Sequence, residues 1–513
     1  MKRLKHYKLL FIFSLILWNC SSDSNGSDSP QSATVSITAS QNMAAEPNTN
    51  GQFTINLSNS VDYAVQVSYT ISGTATNGTD YSTLSNAVTI AANSTSATIT
   101  ISVINDSEAE DTETVIVTLN STNQDNVTIG SQNAATVNIE DQAVTFTPEN
   151  AASFMVNPNS TTETVALFYN LKMLADTGFA IGQQDAFSSF YNNVSGDSDM
   201  KKATGSDPAL LGLDYMFITD DDNDGTASNW YFQQEQMITA NAVEAYNKGM
   251  VVAFSWHVRE PYEGEEFYTA NMTEFQSNNA FASILPGGAN HEYYKQKLDK
   301  VADIANNLIG ADGKKIPIIF RPFHEFDGGW FWWGAPYCSA GQFKTGWQFT
   351  VDYLKDVKGV NNMLYAFSPD NSYTAEATYL SRYPGDAYVD ILGMDNYGDF
   401  NNQGQAGVTT ANNKLKMVSD LAIEKTKIAA LTETGYFVTP GSNNPISGFY
   451  ANNLYNALTN NNVKVSFMMF WSNSENTYCT PVPGTSAMTD FINFTDKPKA
   501  LLENEIPNLY ELP

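Results

Sequence analysis

Residues 316–334 read IPIIFRPFHEFDGGWFWWG. An apolar run without polar alternation comes first. Arg321, His324 and Glu325 then arrive together, and Gly328 and Gly329 break the chain. A short apolar run closed in this way is the pattern of a strand buried on both faces. Seven more runs of the same kind lie on either side: FAIG from 179, LGLDYMF from 211, MVVAFSW from 250, MLYAFS from 363, VDILGM from 389, IAALTE from 428 and VSFMMFW from 465. Helical stretches such as 291–308 separate several of them. Strands alternating with helices imply a parallel sheet, and eight units over residues 148–513 predict an α/β fold, a (β/α)8 TIM barrel with long loops. A doubly wound open sheet is the alternative, and the absence of a glycine-rich phosphate fingerprint after the first strand argues against it.

A barrel of this kind builds its site at the C-terminal ends of the strands. Polar residues recur there. Gln183, Gln184 and Asp185 end the first strand, Asp214 lies in the second and His257 ends the third. Arg321, His324 and Glu325 end the fourth. Asp395, Asn396 and Tyr397 follow the sixth, Glu433 ends the seventh and Trp471 ends the eighth. Single residues of this sort often close barrel mouths with ion pairs, but a whole ring of them points to chemistry.

Glu325 and Glu433 face each other across the expected mouth. Two carboxyls about 5–5.5 Å apart can run a double displacement at a sugar, one attacking as the anion and the other donating a proton. Their environments must push the two pKa values apart. Arg321 and Tyr397 can supply charge and a hydrogen bond to the ionised member. The competing reading is a buried, ion-paired couple with no chemistry.

The segment from Arg321 to Gly334 resembles the signature of glycoside hydrolase family 26, which carries a histidine before its acid/base, as His324 does here. GQQD from 182, SWH from 255, MDNY from 394, LTETGY from 431 and FW from 470 resemble the same family in the same order. The resemblance covers nearly all of residues 150–500. It implies that Glu325 is the acid/base and Glu433 the nucleophile. It also implies that His257, Arg321, His324, Tyr397 and Trp471 surround the reacting sugar, with Trp330 stacking beyond the cleaved bond. One of Trp332 and Trp333 can line the cleft while the second packs the loop, and Asp185 and Asp214 are open between structural and hydroxyl-binding roles. The implied activity is retaining endo-hydrolysis of β-1,4-mannan, glucomannan or galactomannan by a monomer, with no cofactor for catalysis. Hydrolysis of β-1,3-xylan or a mixed-linkage glucan is the enzymatic alternative. A non-catalytic surface glycan-binding lipoprotein is the other.

Residues 33–142 read differently. Apolar residues alternate with polar ones, as in Val35/Ile37, Phe53/Ile55/Leu57, Val65/Val67 and Val115/Val117, in seven short runs broken by turns. This predicts an all-β sandwich. Carboxylates gather near its turns. The stretch from Ile71 to Tyr81, the run from Ser96 to Asp111 and the closing VNIED from 137 resemble a Calx-β domain. The resemblance implies an immunoglobulin-like sandwich with a candidate structural Ca²⁺ site at Glu46, Asp80, Asp106, Glu110 and Asp141, which otherwise form a solvated acidic rim.

Lys2, Arg3, Lys5 and Lys8 precede an apolar run from Leu9 to Trp18, and Cys20 follows it. This resembles a lipoprotein signal peptide over residues 1–20 with lipidation at Cys20, then a flexible tether over 21–32. The expected location is the outer membrane of a bacterium, on its surface or its periplasmic face, with the lipid as the only membrane contact. The net charge of −29 disfavours nucleic acid as a partner and leaves neutral polysaccharide open. Cys338 and Cys479 allow one disulfide or two free thiols. Residues 220–225, DDDNDG, imitate the start of an EF-hand loop, but Tyr231 stands at the twelfth position, where such a loop needs a glutamate.

Overall fold

The computed structural model describes residues 31–105, 110–141 and 145–513. The signal peptide, Cys20, most of the tether and Asp106 lie outside the described residues. The chain forms two compact units, divided between residues 143 and 144.

The described residues of the first unit form nine strands: β1 (Ala33–Gln41), β2 (Met43–Ala45), β3 (Gly51–Leu57), β4 (Val65–Gly73), β5 (Ala87–Ile90), β6 (Ser96–Ile101), β7 (Glu113–Thr122), β8 (Val127–Ile129) and β9 (Ala134–Glu140). They form two sheets, ordered β6-β3-β1-β8 and β2-β9-β7-β4-β5. Val35, Ile37, Phe53, Ile55, Val65, Val67, Val115, Val117 and Val137 are fully buried. The two-residue period of the sequence therefore points one face of each sheet inward. Strands β2 and β8 are too short to show an alternation, and they join as parallel additions to β9 and β1.

The second unit closes a parallel barrel from β10 (Phe179–Gln184), β11 (Leu210–Asp214), β12 (Val251–Ser255), β13 (Ile318–Arg321), β14 (Met363–Phe367), β15 (Ile391–Asp395), β16 (Ile428–Thr434) and β17 (Phe467–Phe470). Each strand pairs with the next, and β10 pairs with both β17 and β11 to complete the ring. A two-residue strand, β18 (Ala500–Leu501), adds to the start of β10. The second strand ends at Asp214, short of the sequence expectation, because Met216–Thr219 turn helical. Asp214 Oδ1 accepts from the Met216 backbone N–H at 2.7 Å at that turn.

The eight barrel strands are buried on every residue but Asp214, which explains why they read as unbroken apolar runs. Inside the ring, space decides some residues outright. A Cβ at Gly212 would sit 2.3 Å from Gln184 Oε1 and 2.5 Å from Met469 Sδ. Register places the polar ends side by side. Asp214, Ser255 and Arg321 are partners across β11, β12 and β13. Asp395 pairs with Glu433 after a local shift in register. No described helix is long and apolar enough to cross a membrane.

Candidate active site

Arg321 is the last residue of β13 and is 2% exposed. Its Nη1 donates to Asp395 Oδ1 and Oδ2 at 2.7 and 2.9 Å, and its Nη2 donates to Glu433 Oε2 at 2.6 Å. Glu433 Oε1 accepts from the Tyr397 hydroxyl at 2.6 Å. Asp395 Oδ1 also accepts from Thr432 at 2.6 Å. Each oxygen of Glu433 thus meets a donor, and one of those donors is a buried cation.

Glu325 stands just past β13, with its backbone N–H bonded to Ser368 O at 2.8 Å. Its φ is +52°, and Phe323 two residues earlier has the same value. Side chains other than glycine rarely adopt this conformation, which costs about 1–3 kcal/mol per residue and persists where packing fixes it. Phe323 is fully buried among Phe281, Tyr294, Trp333 and Phe343. The packed phenylalanine holds the turn that aims Glu325 into the mouth. Carboxylate oxygens of Glu325, Asp395 and Glu433 lie within 4.8 Å of one another.

Three carboxyls therefore crowd one buried site, and the guanidinium of Arg321 pairs with two of them, Asp395 and Glu433. Burial, then the charges of Glu433, Asp395 and Asp370, hold the Glu325 carboxyl well above the usual range. Burial pushes Asp395 up to about 8 against the pull of Arg321, and the Glu433 charge adds to the rise. Two contacts to a guanidinium favour the anion at Asp395, whereas among the described residues no cation pairs with Glu325. The proton belongs on Glu325. Trp330 Nε1 donates to its Oε2 at 2.5 Å.

The walls are aromatic. The His257 and His324 rings meet edge to face at 4.6 Å, and Trp471 lies 6.0 Å from His257. Burial, with the charges of His257 and Arg321, holds His324 well below its usual pKa and keeps it neutral. His257 Nδ1 bonds Asp214 Oδ2 at 2.5 Å, so Asp214 fixes the ring and leaves Nε2 for a ligand. Asp185, with φ of +51°, is pushed up to about 7 by burial and by the charge of Asp214. Trp330 is 37% exposed. Gly328 makes room for its ring, since a Cβ there would meet Trp330 Cη2 at 2.3 Å.

Residues 156–473 match the family model described as glycosyl hydrolase family 26. The chain belongs to glycosyl hydrolase family 26. Residues 28–143 match the Calx-beta domain model. The chain is similar to the solved structure of GH26C from Muricauda sp. MAR_2010_75, with 62% identity and a TM-score of 0.72, over 72% of this chain and 99% of that one. A modular endo-beta-1,4-mannanase from Cellulomonas fimi matches at 32% identity and a TM-score of 0.63, over 69% of this chain and 79% of that one. A curated mannan endo-1,4-beta-mannosidase of Bifidobacterium adolescentis is 35% identical over 362 residues, 68% of this chain. The chain spans only 35% of that relative's length.

Other sequence expectations for this family 26 chain are corrected or completed. Trp332 and Trp333 are both fully buried, so neither lines the cleft. Their indole N–H groups bond Val258 O and His324 O at 2.9 and 2.7 Å, which makes them packing for the loop. Cys338 and Cys479 are free and buried. The 220–225 loop is held by ion pairs: Asp220 with Arg259 at 3.0 Å and Asp221 with Lys297 at 2.6 Å. In the sandwich, carboxylate oxygens of Asp80, Glu110 and Glu113 lie within 4.8 Å of one another. Asp141 Oδ2 accepts from the Glu110 N–H at 3.0 Å, and Glu46 is buried just past β2. Glu113 was invisible as a candidate because it opens β7 inside a regular alternation. Burial and its acidic neighbours push its carboxyl up to about 7.

Sequence reasoning also missed Tyr268 and Phe437. Tyr268 is 44% exposed and stacks on Phe331 at 5.4 Å, and the charges of Glu325 and Glu433 reach its hydroxyl. Phe437 stacks on Tyr397 at 5.8 Å. Both sit in loops without periodicity, where only spatial neighbours could reveal them.

Two outcomes are expected from this geometry. The Trp330 hydrogen bond lowers the Glu325 pKa. Trp330→Phe should therefore raise that pKa further and move the alkaline limb of kcat/KM to higher pH; a shift to lower pH would contradict the assignment. Arg321→Met should destabilise the barrel by about 3–5 kcal/mol, since it strands two buried carboxylates. Urea unfolding monitored by tryptophan fluorescence measures that loss.

Proposed function

We propose that this chain is a retaining endo-β-1,4-mannanase. The observation that carries the reading is the Glu325–Glu433 pair: two carboxyls within 4.8 Å at the barrel mouth, in opposite environments. That spacing suits direct attack rather than an intervening water. Family membership and the mannanase names of the relatives support the choice of glycan.

In the first step a Glu433 oxygen attacks the anomeric carbon as the anion. The bond from that carbon to the leaving oxygen breaks, and Glu325 passes its proton to that oxygen. In the second step Glu325, now ionised, takes a proton from water. The hydroxide so formed displaces Glu433 from the sugar, and both side chains return to their starting states. Arg321 and Tyr397 orient Glu433, and Asp395 orients Arg321. His257, His324 and Trp471 enclose the reacting sugar, and Trp330 supports the unit beyond the cleaved bond. A time-resolved digest of mannan, glucomannan, β-1,3-xylan and mixed-linkage glucan tests the reading. Early mid-sized manno-oligosaccharides are expected; release of single sugars alone, or cleavage of another glycan alone, would refute it.

The lysines before the Leu9–Trp18 run and Cys20 after it support export and lipid anchoring at Cys20. The cluster of Asp80, Glu110 and Glu113 supports Ca²⁺ in the sandwich. The sandwich acts as a spacer. Deleting residues 33–142 should leave kcat/KM on soluble mannan unchanged, and a large loss would contradict this.

A further inference from the structure

The far end of the barrel holds a cavity of about 300 Å³ whose charge runs against that of the chain. Lys427 directly precedes β16, and Ser466 directly precedes β17, its neighbour in the ring. The cavity they line therefore lies where these strands begin, opposite the end of β16 that carries Glu433. Lys172, on the helix Thr162–Leu174, and Lys464 line it as well. The chain has 55 Asp and Glu against 26 Lys and Arg, whereas three lysines and one carboxylate, Asp176, line this cavity. Phe146, Met173, Ile423 and Ile428 add an apolar wall.

An ammonium group has three hydrogens to donate. Lys172 Nζ gives two, to Lys427 O at 3.0 Å and to Ala422 O at 3.3 Å. Lys427 Nζ donates to Phe154 O at 2.8 Å, and Lys464 Nζ to Asp176 Oδ1 at 2.6 Å. Among the described residues, each lysine thus keeps a hydrogen without an acceptor. Ser466 is fully buried, and its Oγ also meets no hydrogen-bond partner among the described residues. A buried hydroxyl left unpaired is costly and calls for an explanation.

The three cations also strain one another. Burial lowers the Lys172 pKa to about 8; Asp176 opposes this, and the charges of Lys427 and Lys464 add to it. Burial lowers Lys427 too, against the pull of Asp390 and Asp386. An anion among the ammonium groups would offset their repulsion and accept from their idle hydrogens. Ser466 Oγ–H could donate to the same head. The volume matches about ten water molecules, more than a bare oxyanion fills, and the apolar wall suits a body of a few carbons.

We propose that this cavity binds a small organic oxyanion, its charged head among Lys172, Lys427, Lys464 and Ser466 and its apolar body against Phe146 and Ile428. The site is separate from the carboxylates at the mouth and owes nothing to the choice of glycan.

The test titrates phenyl phosphate into the full chain by calorimetry, with inorganic phosphate as the head alone and benzyl alcohol as the body alone. Phenyl phosphate should bind at one site and more tightly than either fragment. Lys172→Met and Lys464→Met should each weaken it about tenfold or more, the effect of a lost charge-assisted hydrogen bond, and Ser466→Ala about twofold to tenfold. Lys172 also holds two carbonyls, so its variant can lose stability. Lys464→Met removes only a partly exposed ion pair and keeps the test decisive. Absence of phenyl phosphate binding overturns the proposal. So does a fragment that binds as tightly, or an unchanged affinity in Lys464→Met and Ser466→Ala.

Discussion

Glu433→Ala should lower kcat on mannan on the order of 10⁴-fold or more, because no other group can form the covalent intermediate. Arg321 and Tyr397 both lose their partner, but neither can attack a carbon. Affinity for mannan should survive, since the aromatic walls and His257 are untouched. Azide separates lost chemistry from lost folding. A small anion entering the vacated space should restore turnover and yield an α-mannosyl azide. Hydrolysis close to the wild-type rate in the variant would end the nucleophile assignment, and isothermal titration with mannohexaose measures the retained binding.

Glu325→Gln should cost about 10²–10⁴-fold on mannan, the usual worth of a positioned proton donor. The loss should depend on the leaving group. An aryl mannoside with an acidic phenol needs little help in the first step, so the variant should release one equivalent of phenol quickly and then stall as the glycosyl-enzyme. The pH profile carries a second signature. Burial and the Glu433 charge hold Glu325 well above the usual carboxyl range, and the wild type needs it protonated. Wild-type kcat/KM should therefore be full below that raised pKa and fall as pH rises through it. The variant should lack that alkaline limb, and an unchanged limb would assign it to another group.

Much of this was legible in the sequence, for a physical reason. A parallel strand buried on both faces must be apolar throughout, so each barrel strand announced itself, and the residues ending it fell at the mouth. The sandwich was legible through the opposite pattern, one buried face per strand. The network behind the carboxylates was not. Asp395 read as one polar strand end among several, yet it binds Arg321 through two contacts because β15 and β16 shift register beside Glu433. The left-handed turn at Glu325 is encoded by the packing of Phe323, which no local pattern expresses. Trp332 and Trp333 resemble cleft residues until their indole N–H groups are found bonded to buried carbonyls. Glu113 joined the sandwich cluster by spatial approach alone.

The central claim is that a sugar becomes an ester of Glu433 during turnover. A fluorinated, activated mannoside that forms this ester quickly and hydrolyses it slowly should inactivate the enzyme. Mass spectrometry of the digested protein should then place one sugar on the peptide holding Glu433. A label on Glu325 or Asp395, or unlabelled enzyme releasing the α-anomer first, would contradict it.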